Sequence, residues 1–301
     1  MIRVIVPATS ANLGPGFDSL GISLSIYNEY EFSLKDENGL FFEGVEEEFQ
    51  NEDNIIYMAI KKVFDKYNFK FKGLGIKIIR QDIPISRGLG SSSSCIVAGL
   101  IGAFALMGKE INKDEILSLA VDIEGHPDNV CPAIFGGLVS TVMTESNKPL
   151  YNCIEIKEGI KFIALVPRVK LLTEKARAIL PKEIPFKDCV YNIGRAALLI
   201  SAFSNGKYSL LREATKDRIH EQYRSRLIEN FDEIYNKVIE LGAFACFLSG
   251  AGPTLMSIVD KNDLSFVNEI SREYSPELFV LDAEHHYVAC PQKTCDKYSQ
   301  I

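Results

Sequence analysis

Apolar and β-branched residues alternate in part over residues 2–6 and again over 22–34, which predicts two strands with the Gly-, Pro- and Asn-containing stretch 7–21 between them as a structured loop. Ile56, Ala59, Ile60, Val63, Phe64 and Tyr67 recur at three- and four-residue spacing, one face of an amphipathic helix over 54–67. Residues 75–80 return to a strand, 84–90 form a loop, and a helix follows over 91–107. Asn112, with Glu115 three positions on, predicts a capped helix over 113–124. Residues 136–142 read as strand. After the polar break 145–149 the pattern restarts with a strand at 162–166, helices at 173–180, 189–203 and 226–241, strands at 244–248 and 255–259, a helix at 262–274 and a last strand at 279–281. Strands and helices mix without a regular βαβ rhythm, which predicts an α+β fold. A boundary near residues 145–160 divides the chain into 1–155 and 156–301.

The chain of 301 residues is 47% hydrophobic and 24% charged, an ordinary globular balance. Its net charge of -7 argues against a nucleic-acid partner, since phosphate-backbone binding draws on a surplus of Lys and Arg. The 7 cysteines are odd in number and form no C-x-x-C pair, so neither a disulfide framework nor a zinc site is expected and a cytoplasmic setting is. The opening MIRVIVPATS lacks the regions of a signal peptide. No apolar run reaches the roughly 20 residues a bilayer requires, and the nearest candidate, 95–108, reads as a buried helix of a soluble protein.

Residues 84–103, PISRGLGSSSSCIVAGLIGA, carry the most information. Gly88 and Gly90 let the backbone approach a ligand, and four serines then open a long helix whose free N–H groups and dipole favour an anion such as phosphate. The loop is neither a Walker A sequence, lacking G-K-[ST], nor a Rossmann G-x-G-x-x-G, because Ser93 stands where the third glycine would be. A tight turn with an N-cap explains Gly-Leu-Gly-Ser equally well by itself. The longer string Pro-x-x-x-Gly-Leu-Gly-Ser-Ser resembles the phosphate-binding motif of the GHMP kinases. That resemblance implies ATP binding by Pro84, Ile85, Ser86, Arg87, Gly88, Leu89, Gly90, Ser91, Ser92, Ser93 and Ser94.

Two further segments follow the family's order. Residues 7–24, PATSANLGPGFDSLGISL, resemble its first motif and place Asn12 and Asp18 among small residues, as a pocket for a small amino acid requires; an Asx-turn explains either residue singly. Residues 247–258, FLSGAGPTLMSI, resemble its third motif, which implies a substrate contact at Gly252, although an ordinary hairpin fits the same pattern. The resemblance covers nearly the whole chain. It implies a two-domain GHMP kinase fold, an N-terminal half like ribosomal protein S5 domain 2 with the ATP loop and a ferredoxin-like C-terminal half, and it suggests a homodimer.

Residues 124–138, EGHPDNVCPAIFGGL, resemble the branch of the family that phosphorylates the hydroxyl of L-homoserine on the way to threonine. The resemblance implies Mg²⁺ held by Ser92 and Glu124, with Asp122 one register away as the alternative carboxylate, and a substrate contact at His126. Several family members have an Asp base where this chain has Asn129. A neutral amide accepts no proton near pH 7, so catalysis there rests on positioning, with Asp128 as the alternative. A substrate carboxylate calls for arginine, whose planar fork binds both oxygens. The segments LLTEKARAILP and DRIHEQYR resemble the family's, giving Thr173 a catalytic role and Arg177 and Arg224 the carboxylate; each arginine is equally a surface ion-pair residue on its own. By the same resemblance Asn54 occupies the place of the family's Asn near adenine, an ATP contact, and it also fits an N-cap. Two other readings keep this fold: a kinase for another small alcohol, and a non-catalytic ligand sensor.

Overall fold

The computed structural model describes residues 1–265, 267, 269–270, 277–284 and 288–291. Its strands are β1 (Ile2–Ala11), β2 (Leu20–Lys35), β3 (Gly39–Glu43), β4 (Gly73–Gln81), β5 (Leu138–Met143), β6 (Pro149–Ile154), β7 (Ile160–Val166), β8 (Ala245–Leu248), β9 (Leu255–Asp260), β10 (Glu277–Leu281) and β11 (Val288–Pro291). The helices are α1 (Ile55–Lys66), α2 (Ser91–Leu106), α3 (Lys113–Glu124), α4 (Pro127–Phe135), α5 (Thr173–Ala178), α6 (Phe186–Asn205), α7 (Leu211–Ala214), α8 (Glu221–Arg224) and α9 (Phe231–Glu240).

One sheet runs β11-β1-β2-β4-β3, with β5 on the end of β2 and β6 on β5; the other runs β10-β7-β9-β8. Helices α1 to α4 cover the first sheet, and Val4, Val6 and Phe32 pack there against Ile60, Phe64, Ile96, Leu100 and Ile134. The second sheet is apolar on both faces, because alternate residues of a strand point to opposite sides. Phe162 and Ala164 of β7 join Ile22, Leu24 and Leu138 of the first sheet in one core with Leu199 and Phe203 of α6. Ile163 and Leu165 of the same strand face α9, against Phe231 and Val238. The core shared by the two sheets sets the cleft between the halves of the chain. This arrangement is the α+β architecture expected. No helix among the described residues is long and apolar enough to cross a membrane.

Several elements differ from the sequence expectation. The loop expected over 7–21 is strand as far as Ala11: β1 continues past a register shift between Pro7 and Ala8, the kind of irregularity that accommodates a residue without an N–H. Helix α4 was not expected; Pro127 opens it at a position where the missing N–H is not needed, and Gly136 closes it. The helix expected over 226–241 begins at Phe231, after a single 3₁₀ turn at Ser225–Leu227, an extended Ile228 and Asn230 at φ +57°. The break at 145–149 is a turn into β6, which pairs with β5. The helix expected over 262–274 lies partly outside the described residues.

Candidate active site

The loop before α2 is held from beneath by the other two motifs. Gly90 caps α2 in the left-handed region at φ +71° with no side chain to satisfy the first turn, so the amides of Ser91, Ser92 and Ser93 are open to a ligand. A Cβ on Gly90 would lie 2.0 Å from Oγ1 of Thr9, and one on Gly88, at φ +77°, would lie 2.3 Å from the carbonyl of Ser249. Backbone bonds complete the cradle: Thr9 N to Leu89 O at 3.1 Å, Thr254 N to Arg87 O at 3.3 Å and Leu171 N to Ser86 O at 3.2 Å. Ser249 Oγ donates to Gly88 O at 2.6 Å.

A carboxylate stands beside this helix start. Glu124, the last residue of α3, accepts from Ser92 Oγ at 3.2 Å and from Ser93 Oγ at 3.0 Å. Asp122 pairs with Lys62 at 3.4 Å, and it is absent from the cavity lining. At the start of α4, His126 Nδ1 meets the buried Asp128 Oδ1 at 2.5 Å. Burial lowers the His126 pKa, but the hydrogen bond and charge of Asp128, with Glu124 beyond, outweigh it and raise the pKa above the ordinary value. Thr9 Oγ1 donates to Asn129 Oδ1 at 2.9 Å, which leaves the Asn129 Nδ2 as a donor towards the cavity.

The far wall is built by the second half of the chain against the turn after β1. Arg177 of α5 grips Asp18 through both terminal guanidinium nitrogens, Nη1 and Nη2, at 3.0 and 2.7 Å. Arg224 is buried, donating from Nε to Ala176 O at 3.1 Å and from Nη1 to Gly250 O at 3.0 Å. Burial first, then the positive Arg177, pull its pKa down to about 10, so it stays charged at neutrality. Thr173 opens α5 on the same wall.

Asn12, Asp18, Asn54, Ile85, Ser86, Arg87, Gly88, Gly90, Ser91, Ser92, Ser93, Glu124, His126, Asn129, Thr173, Arg177 and Arg224 all line one cavity of about 440 Å³. Four expected residues do not. Leu89 and Ser94 are buried beneath the loop, and Pro84 is absent from the lining. Gly252 turns away, a Cβ there meeting Leu248 and Ile228, while Gly250 and Ala251 take the cavity side. Two lining side chains are committed to the scaffold: Asn12 donates to Gly250 O and accepts from Asp18 N, and Asn54 caps α1 through Ile56 N and Tyr57 N while its Nδ2 donates to Phe49 O. Asn28 and Tyr30 of β2 and Cys95 of α2 also line the cavity, the strand tied to the loop helix by Tyr30 Oη to Ser94 Oγ at 2.6 Å. No sequence spacing pairs β2 with α2, so they escaped notice. Thr9 had a signal, its place inside the first motif.

Residues 54–137 match a family model described as GHMP kinases N terminal domain, and residues 199–275 match one described as GHMP kinases C terminal. Both halves of the chain therefore carry GHMP kinase domains. The homoserine kinase of Clostridium beijerinckii is 58% identical over 270 residues, 90% of each chain. That of Clostridium botulinum strain Alaska E43 is 58% identical over 272 residues, 90% of this chain and 91% of the other. A crystal structure of homoserine kinase from Cytophaga hutchinsonii superposes with a TM-score of 0.85 at 25% identity, covering 96% of this chain and 97% of that one. The chain belongs to the homoserine kinase family of the GHMP kinases.

Proposed function

We propose that the protein transfers the γ-phosphate of ATP to the side-chain hydroxyl of L-homoserine, giving ADP and O-phospho-L-homoserine for threonine synthesis. The observation that carries this reading is the cavity itself, which joins an open helix start and a serine-held carboxylate at one end to two arginines and an aspartate at the other. The 58% identical relatives, named homoserine kinase, support the same substrate.

The open amides of Ser91, Ser92 and Ser93 bind the phosphates of ATP, with Gly88 and Gly90 giving them close approach. Arg177 and Arg224 take the homoserine carboxylate, and Asp18 is free to take its ammonium once Arg177 has a new partner. Asn129 and Thr173 orient the hydroxyl for in-line attack; with Oδ1 committed to Thr9, Asn129 positions rather than deprotonates. Asp128, paired with His126, is the alternative acceptor for the proton. Hard oxygen donors on Ser92 and Glu124 fit Mg²⁺, which when bound supplies charge neutralisation of the transferring phosphoryl group.

Residues 1–155 then form the nucleotide half and 156–301 the half that brings the substrate arginines. A cytoplasmic setting fits Cys95, Cys131, Cys153, Cys189 and Cys246, all free thiols. A homodimer fits the exposed Phe186, Val190 and Ile193 on one face of α6. A coupled ADP-release assay over homoserine, mevalonate, galactose and serine tests the assignment; absence of turnover with homoserine overturns it.

A further inference from the structure

Three side chains meet on the ring of Phe17, a half-buried residue of the turn between β1 and β2. The Arg224 guanidinium lies 5.1 Å from the ring centroid and that of Arg177 5.6 Å. The His220 imidazole stacks on the same ring, centroids 5.1 Å apart and planes inclined by 28°. Two guanidinium groups this close repel, and an aromatic face offsets the repulsion through its quadrupole, which an aliphatic side chain lacks.

The remaining contacts hold Arg224 fast. A guanidinium can only donate, so His220 Nδ1, 3.5 Å from Arg224 Nη1, is the acceptor. His220 Nε2 therefore carries the proton and donates to Gly14 O at 2.8 Å, in the same turn as Phe17. Nη2 is the one guanidinium nitrogen of Arg224 with no acceptor among the described residues, and Arg224 lines the cavity. Ring, imidazole and backbone carbonyls thus fix the guanidinium while leaving one edge for a ligand.

We propose that Phe17 is a positioning residue whose ring, backed by His220, gathers the guanidinium groups of Arg177 and Arg224 so that both meet one carboxylate, and so sets the preference for acceptors that carry an α-carboxylate. This rests on the substrate reading above.

Replacing Phe17 with mono-, di- and trifluorophenylalanine in the full chain weakens the ring quadrupole with little change of shape. The KM for L-homoserine rises stepwise, to roughly fivefold or more with three fluorines, while the KM for ATP stays within about twofold. Phe17→Tyr remains close to wild type. With 3-amino-1-propanol, an acceptor without the carboxylate, kcat/KM is the same across the series. A homoserine KM that does not move with fluorination, or an equal loss with both acceptors, overturns the proposal. Wild-type turnover of L-homoserine is the separate check: its absence removes the substrate reading and this inference together, whereas turnover with a flat series removes this inference alone.

Discussion

Arg177 and Asp18 form a two-pronged ion pair across the cleft, Nη1 to Oδ2 at 3.0 Å and Nη2 to Oδ1 at 2.7 Å. Each side chain is about one-third exposed, so the pair contributes little to stability, on the order of 1 kcal/mol at most. Its consequence is for binding, because a zwitterionic substrate replaces each partner with one of its own charges. Asp18→Asn raises the KM for homoserine roughly tenfold or more, about 1.4 kcal/mol or above, with the ATP KM nearly unchanged and the melting temperature within a few degrees of wild type. Steady-state kinetics with each substrate varied in turn check this. A matching rise in the ATP KM would show that the turn had collapsed instead.

Arg224 behaves differently because it is buried. Arg224→Ala removes the side-chain donor to the Ala176 carbonyl and one of the two donors to that of Gly250, which keeps Asn12 Nδ2, a loss of roughly 1–3 kcal/mol in stability. Among molecules still folded, the KM for homoserine rises far more than that for ATP. Arg224→Lys keeps the charge but not the fork, so it recovers stability better than it recovers affinity. Thermal melts and kinetics on both variants separate the two effects.

Ser92 and Glu124 stand 3.2 Å apart at the start of α2. If they carry the metal and phosphate, Ser92→Ala lowers kcat roughly tenfold or more, on the scale of one lost transition-state contact, and leaves the homoserine KM alone. The Mg²⁺ concentration needed for half the maximal rate also rises. An unchanged kcat would remove Ser92 from the site.

Much of this was legible in the sequence, for identifiable reasons. Helices α1 and α3 carry regular apolar spacing and side-chain caps, Asn54 and Asn112, so pattern and boundary agreed. The loop at 84–94 stood out through the length of its string, Pro-x-x-x-Gly-Leu-Gly-Ser-Ser, since Gly-Leu-Gly-Ser by itself reads equally well as a tight turn. Helix α4 was hidden because its nine residues, two of them proline, hold too little periodicity. Partnerships were the least legible feature: nothing in the sequence says that Arg177 is already held by Asp18, or that Asn129 gives its oxygen to Thr9. Those depend on how the halves of the chain pack, which local pattern does not encode.

Gly90 tests the loop without touching any ligating side chain. Alanine there must adopt φ +71° and would place a methyl 2.0 Å from Oγ1 of Thr9, a side chain engaged with Asn129. The backbone term alone costs about 1 kcal/mol, and the clash adds to it. Gly90→Ala therefore lowers the melting temperature by several degrees and raises the ATP KM more than tenfold. Nucleotide titration followed by calorimetry reads both, and wild-type ATP affinity would mean that the loop does not carry the phosphates.

Glu221 supplies a pH-dependent stability signal from the short helix that also carries Arg224. It is buried at the start of α8, accepts a hydrogen bond from Leu248 N at 2.9 Å, and has its pKa pushed up to about 8 by burial, with the charge of Asp217 adding to the effect. In the unfolded chain the same carboxyl titrates near 4.5. Between these values the folded protein holds a proton that the unfolded chain has released. Its contribution to stability therefore falls as pH rises from about 5 to 8, by up to about 1.4 kcal/mol per pH unit. Glutamine has the same shape, can accept from Leu248 N and does not ionise. Glu221→Gln consequently melts with the wild type at pH 5 and above it at pH 8, the gap widening through the interval. Melting curves at unit pH steps measure the gap, and parallel profiles for the two proteins would show that Glu221 is already ionised in the fold.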